Sequence, residues 1–396
     1  MVAKSFMFMI YICFGIYGLS TSLIGSIWPE MSKEIGIDAS FIGIILTLTS
    51  VASGVSGFVT YKIRQKLGSN YTSILGLALY AVSMILYMRA RSVVELIIAP
   101  IILGFANGII DVNSNSYVVK AYDAKWVSFM HAVWGISAAL APVFMTFALL
   151  HTPTYRNAYS FTFIIIIIAI VILFIMKQSW LKKRELLDKE VLDLHSVTEE
   201  EKASDVKPIE VLKEKRVLPT LLCFAFSNGS GSAIMAWIAT IVVAQKAVSV
   251  VAAATAAATY SLALTFGRIC MGVVAEKMGT SKILKFLSLL GAIATAALFI
   301  PYKDPMIMYV NVAIIGFAAG PLTPLLNSDL KEKFDVKILS VLISLGGVFG
   351  LLGIAAISSL MTIASNAISI NYVQIIPAIG FALLFITYSS VKNHNS

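Results

Sequence analysis

Three polar side chains, Asn107, Asp111 and Asn115, recur every fourth residue through the apolar run LGFANGIIDVNSNSYVV. In a helix that spacing puts them on one face. An isolated carboxylate near the middle of a bilayer helix costs about 2.5–3.5 kcal/mol on insertion scales, so it is expected to face a polar cavity rather than lipid. There it could bind and release a proton or hold a solute. The competing reading is a carboxylate locked to donors at a helix end. Asn107 and Asn115 could donate to the acid or to a polyol, or could pair helices with one another.

Other residues with usable chemistry also fall inside apolar runs. His131 sits about five residues, hence roughly 7 Å, from the start of the fifth run, with Trp134 one turn deeper near the expected level of Asp111. A histidine facing an acid makes a proton relay; hydrogen-bonded to a neighbouring helix it is only a brace. Trp134 is either a stacking platform for a solute or a packing residue. In the seventh run, Ser227-Asn228-Gly229-Ser230-Gly231-Ser232 weakens the helix and offers amide and hydroxyl groups, with Trp237 further along. Interrupted helices of this kind often line transport cavities. Asn327, following Pro321 and Pro324, could do the same in the tenth run, and Tyr11 and Tyr17 are weaker candidates in the first. Arg268 and Glu276, two turns apart at the end of the eighth run, read as an inter-helix charge network for gating.

The elements that must position these groups follow from composition. The 396 residues are 58% hydrophobic and 13% charged, and the mean hydropathy is +0.87, which places the chain outside soluble globular domains. Spanning the hydrocarbon takes roughly 20 apolar residues per helix, and twelve such runs occur. The fold class is therefore an all-α membrane protein, with twelve transmembrane helices in two pseudo-symmetric six-helix bundles. The run lengths exclude a β-barrel. The first run ends at Trp28-Pro29-Glu30 with no small-residue cleavage site, and is kept as a span.

The polar stretch 177–216 separates the halves, giving an N-terminal bundle at 1–176, a cytoplasmic linker at 177–216 and a C-terminal bundle at 217–396. The linker carries equal numbers of acidic and basic residues, and WLKKRELLDKEVLDL within it has leucines near helical spacing, as in an amphipathic surface helix. The net charge of +9 follows topology and does not imply nucleic-acid binding. With both termini cytoplasmic, twenty-four of the thirty Lys and Arg residues fall on the inner side. The expected location is a cell membrane, plasma or inner.

The halves share punctuation, as an internal repeat predicts. The second run ends in SGVSGFVTYKIRQKLGS and the eighth in TFGRICMGVVAEKMGTSK, each with small residues, a basic turn and then a glycine, Gly68 or Gly279. Cys13, Cys223 and Cys270 lack pairing or ligand spacing. No nucleotide motif, nucleophile constellation or metal-ligand set is present, so neither an enzyme nor ATP-driven transport is expected, nor any cofactor or metal. The expected partners are a small-molecule solute, protons and the lipid bilayer, for a monomer.

Twelve runs, a central polar stretch and a glycine-bounded basic turn after the second and eighth resemble the major facilitator superfamily across the whole chain. Gly267, Arg268, Gly272, Glu276, Lys277, Gly279 and Lys282 match the G-R-x-x-x-G-x-x-x-[DE]-[RK]-x-G-x-x-[RK] form of its loop motif; the copy from Gly57 to Gly68 lacks the acid. Within the superfamily, Gly108, Asp111 and Asn115 are similar to the G-x-x-[ED]-x-x-x-N pattern of the fucose permease-like branch. His131 with Trp134-Gly135, and GFAAGPLTPLLNS in the tenth run, resemble that branch too, although its acids in the first and seventh helices are absent here. The resemblance implies two bundles rocking about a central cavity, with Asp111 coupling protons to uptake of a small polar solute. The rival mechanism is proton-coupled efflux of drugs or metabolites, whose G-x-x-x-G-P-x-x-G-G pattern GISAALAP meets only in part. A rival of another class is a transport-dead sensor acting through the 177–216 loop.

Overall fold

A chain crossing a bilayer must satisfy its backbone internally, because hydrocarbon offers no water to exposed N–H and C=O groups. Helix is the local answer, and the structure is helical throughout what it describes. The computed structural model of the protein describes residues 2–121, 124–151, 154–176, 208–300 and 305–391. The predicted amphipathic segment at 180–194 lies outside the described residues.

The helices are α1 (Val2–Ile35), α2 (Ile42–Arg89), α3 (Val93–Ala121), α4 (Ala124–His151), α5 (Arg156–Ile175), α6 (Val217–Lys246), α7 (Val250–Met278), α8 (Thr280–Ala296), α9 (Pro305–Ala319), α10 (Leu322–Lys333), α11 (Val336–Ala367) and α12 (Ile375–Ser390). They supply twelve stretches long and apolar enough to span a membrane, one for each run read from the sequence. Helix α2 holds the second and third spans, with Gly68 between them at φ 77°, ψ 163°. Gly279 occupies the matching place after the eighth span, at φ 89°. Both lie in the left-handed region that a side chain disfavours, so the shared glycine punctuation corresponds to a shared reversal of the chain. The tenth span is divided into α9 and α10 at Gly320-Pro321.

The chain forms two compact units. The first comprises Met1–Ile37 with Leu48–Lys202, and the second Asp38–Thr47 with Ala203–Ser396. The short segment Asp38–Thr47 thus clusters with the C-terminal half, a placement its position in the sequence gave no sign of.

In the first unit α1 packs chiefly along α4, and their backbones meet: a Cβ on Gly18 would collide with the Trp134 carbonyl oxygen. Helix α3 approaches α2 in the same way at Gly104, beneath the Thr49 carbonyl, and at Gly108, beside Ser53 and Ser56. Helix ends are sealed by side chains. Glu95 accepts from the amides of Arg91 (2.6 Å) and Ser92 (3.0 Å) at the start of α3. Arg156 donates to the carbonyls of Met88 (2.6 Å) and Ala90 (3.2 Å) at the end of α2, and its Nε pairs with Glu34 at 3.0 Å.

In the second unit α6 packs on α11 and α12, and α7 on α9. Glycines again mark the closest approaches, Gly229 against the Gly353 carbonyl and Gly316 against Tyr260. The segment Asp38–Thr47 lies on α11. Ser40 Oγ donates to Asn366 Oδ1 at 2.6 Å, Thr47 Oγ1 meets Ser359 Oγ at 2.9 Å, and Gly43 leaves no room for a side chain beside Thr362 and Ser358. Large apolar side chains such as Ile164, Phe174 and Ile386 are exposed, as lipid-facing positions require.

These packing distances separate two kinds of glycine. Gly104→Val forces overpacking worth about 1–3 kcal/mol and is expected to lower the thermal midpoint of the detergent-purified protein. Gly272, which has nothing within 4 Å of an added Cβ, should accept alanine with the midpoint unchanged or raised. Fluorescence-detected size exclusion after heating measures both, and equal midpoints for the two variants would contradict the packing assignment.

Candidate functional site

The polar stripe of α3 divides into a structural end and an open end. Asn107 is buried, and Tyr80 of α2 donates its hydroxyl to Asn107 Oδ1 at 2.8 Å. One turn on, Asp111 is only partly buried. Asn115 Nδ2 donates to its Oδ1 at 2.9 Å and to its backbone oxygen at 3.1 Å. No Lys or Arg is paired with Asp111 among the described residues. Tyr17 of α1 and Tyr80 both lie within electrostatic reach of its carboxylate.

Aromatic rings extend this patch from α3 to α4. Tyr17 meets Trp134 edge-on with centroids 6.2 Å apart. Phe14, one turn before Tyr17, contacts it at 5.7 Å and stands edge-on to His131 at 5.4 Å. His131 is exposed and Trp134 partly buried. In the first unit Asn107, Asp111 and Asn115 thus share a face of α3, while the α1 rings Phe14 and Tyr17 hold His131 and Trp134 of α4. A carboxylate, amides and ring faces together can bind a proton and a solute with hydroxyl and apolar surfaces.

Asn113 shows how a neighbouring position takes the opposite role. Its Oδ1 accepts from Ser69 Oγ at 2.9 Å, and its Nδ2 donates to the Ser69 carbonyl at 3.0 Å and Ser73 Oγ at 2.8 Å. Two residues from Asp111 along a helix, it points away from the stripe and ties α3 to the part of α2 after Gly68. Neither Asn113 nor Tyr80 was singled out in the sequence. The three-asparagine cluster gave no sign of which amide turns inward, and Tyr80 is a lone polar residue in an apolar run.

The second unit carries uncharged polar groups. Ser227 Oγ of α6 meets Thr323 Oγ1 of α10 at 3.1 Å. Asn327, one turn beyond Thr323, is partly buried. Asn228 Nδ2 donates to the Phe224 carbonyl at 3.1 Å and rests against Gly350 of α11. Trp237 is fully buried, with Gly43 against its ring. Its place is inside the unit rather than on an open face.

Arg268 Nε donates to the Gly320 carbonyl at 2.9 Å. Glu276 falls in the last turn of α7, and its side chain lies outside the described residues. A second carboxylate of interest is Asp329, four residues before the end of α10. It is buried, pairs with Lys333 Nζ at 2.9 Å and accepts from Tyr388 Oη at 2.8 Å. The Lys333 ammonium also lies 4.1 Å from the Tyr388 ring centroid. That carboxylate is paired with a cation of its own unit, whereas among the described residues Asp111 has only the amide of Asn115.

Comparison with known proteins agrees with this architecture. The family model described as Major Facilitator Superfamily matches residues 10–358. Among solved structures, the crystal structure of a D-xylose-proton symporter superposes with a TM-score of 0.79 at 14% sequence identity, covering 99% of each chain. A search of curated protein sequences finds no match to the chain.

The contrast between neighbouring asparagines is testable. Asn113→Ala breaks three buried hydrogen bonds and should destabilise the fold by about 1–3 kcal/mol, seen as a lower thermal midpoint. Asn115→Ala should leave the midpoint within experimental scatter, since its partners lie on its own helix. A reversed order of midpoints would mean that the two roles have been exchanged.

Proposed function

The chain belongs to the major facilitator superfamily, and on that premise we propose that it moves a small polar solute, sugar-like or an organic acid, across the membrane by alternating access in symport with protons. The observation that carries this reading is Asp111, a carboxylate within the fourth span whose partner is an amide rather than a cation. An ionised carboxylate so placed costs about 2.5–3.5 kcal/mol, and a proton removes that charge. Protonation state and access are thereby coupled: the acid loads where the site meets water and travels neutral.

Asn107, Asn115 and Trp134 in the first unit and Asn228, Trp237 and Asn327 in the second are the proposed solute contacts, with His131 as a relay to Asp111. Trp237 would contact solute only in a state in which Gly43 withdraws from its ring. Arg268 and Glu276 belong to gating. The basic residues argue for termini on the cytoplasmic side of a cell membrane, and residues 177–216 connect the six-span halves of a monomer. The D-xylose-proton symporter fold is consistent with a sugar-like solute; the chain's own residues set its specificity.

Proteoliposome uptake of hexoses, deoxyhexoses, polyols and organic acids, with and without an inward proton gradient, tests the proposal. Wild type is expected to show gradient-stimulated accumulation of at least one solute. Asp111→Asn should abolish stimulation, leaving at most downhill equilibration. Gradient-driven extrusion of lipophilic dyes with no uptake from the panel would sink symport in favour of efflux.

A further inference from the structure

The tenth span is broken by two prolines whose effects fall on identifiable carbonyls. In a continuous helix the carbonyl of residue i accepts from the amide of residue i+4, and proline has no such amide. Pro321 therefore leaves the Phe317 carbonyl without its helical donor, and Pro324 leaves that of Gly320. The surrounding ladder persists: Gly320 N donates to Gly316 O and Leu325 N to Pro321 O, both at 3.0 Å. Within a span there is no water to serve the freed groups. The Phe317 carbonyl is pressed against the α-carbon of Gly267, where a Cβ could not fit. The Gly320 carbonyl accepts from Arg268 Nε at 2.9 Å.

Arg268 is held for this task by its own helix. Gly316 and Gly320 bring α9 backbone to backbone against Tyr260 and Leu264 of α7. Two turns before Arg268, Tyr260 donates to the Gly231 carbonyl of α6 at 2.8 Å. Helix α7 thus braces the serine- and glycine-rich part of α6 and the break in the tenth span from one side. Beyond the break, α10 carries Thr323, bonded to Ser227, and Asn327.

We propose that Arg268 is a positioning residue that replaces the amide missing at Pro324, fixes the angle of α10 to α9, and so places Thr323 and Asn327 for the solute. In this role the guanidinium acts as a hydrogen-bond donor to a neutral carbonyl. The bracing stands on the geometry alone; its consequence for solute binding rests on the function proposed above.

The purified full-length chain is compared as wild type, Arg268→Leu, Arg268→Gln, Pro324→Ala and the double variant Arg268→Leu/Pro324→Ala. Amide exchange is read by mass spectrometry over peptides covering 317–328, and KM and maximal rate are read in proteoliposomes. Arg268→Leu should speed exchange and raise KM by about tenfold or more, the scale of one lost charge-assisted hydrogen bond, with the proton-gradient stimulation ratio retained. Restoring the amide at position 324 should bring both readouts back to within about threefold of the Pro324→Ala parent.

Arg268→Gln keeps a donor without the charge and should behave nearer to wild type than to Arg268→Leu. An Arg268→Leu defect undiminished in the Pro324→Ala background, or a glutamine variant as impaired as leucine, overturns the proposal in favour of a charge role. If Arg268→Leu is not recovered folded, the glutamine variant is compared with wild type, and a rise in its KM of about tenfold or more overturns the proposal. A wild type that accumulates no solute would count against the transport reading only, because the exchange measurement needs no solute.

Discussion

Each backbone N–H and C=O inside a span must find its partner within the protein, and much of the structure answers to that requirement. It explains why the Gly320 carbonyl, freed by a proline, is met by an arginine from another helix. It explains the placement of Arg156 over the last carbonyls of α2 and of Glu95 under the first amides of α3. Threonines and serines such as Thr60, Thr162 and Ser261 return their hydroxyls to the carbonyl four residues back, so they add polarity without an unmet donor. The buried charges Asp329 and Lys333 are likewise met, closed off with Tyr388 inside one unit.

Close helix approach is the second consequence. Lipid tails are as apolar as leucine, so helices associate through van der Waals packing and interhelical hydrogen bonds. Glycine gives both, since removing the side chain brings a neighbour's backbone into contact. The pairs α2–α3, α6–α11 and α7–α9 each meet at glycines, and polar bonds gather beside those crossings: Ser69 to Asn113, Ser227 to Thr323, Arg268 to Gly320. In the second unit the break in the tenth span coincides with the α7–α9 crossing, which is how α10 can bend while remaining attached.

Hydropathy and run length made the twelve spans legible, because a helix in lipid needs a long apolar stretch whatever its neighbours do. The two reversals were visible too, since only glycine takes the positive φ found at Gly68 and Gly279 without strain. The candidate site was legible where one residue type carries an intrinsic penalty, as Asp111 does. It was not legible where the answer depends on which way a helix faces. Asn113 and Asn115 look alike in sequence, yet one is locked to α2 and the other to Asp111. The bond from Tyr388 to Asp329 spans 59 residues, and no local pattern announces it. The attachment of Asp38–Thr47 to α11 depends on single bonds such as Ser40 to Asn366, across 326 residues, and no local pattern encodes such a pair.

Asp111 and Asp329 show what the first constraint selects. Breaking a buried ion pair is costly, about 3–5 kcal/mol when one partner is removed, so Asp329 and Lys333 serve as a structural pair within the second unit. Asp111 instead accepts a hydrogen bond from Asn115 Nδ2, and an amide can present a donor to a charged carboxyl or an acceptor to a neutral one. The candidate polar residues of the second unit, Ser227, Asn228, Thr323 and Asn327, carry no ionisable group. Proton coupling on the proposed reading therefore rests on Asp111 of α3 with His131 of α4 as its relay. On the same reading the second unit contributes hydrogen bonds whose geometry, set by the proposed brace before α10, discriminates among solutes by the position of their donors and acceptors.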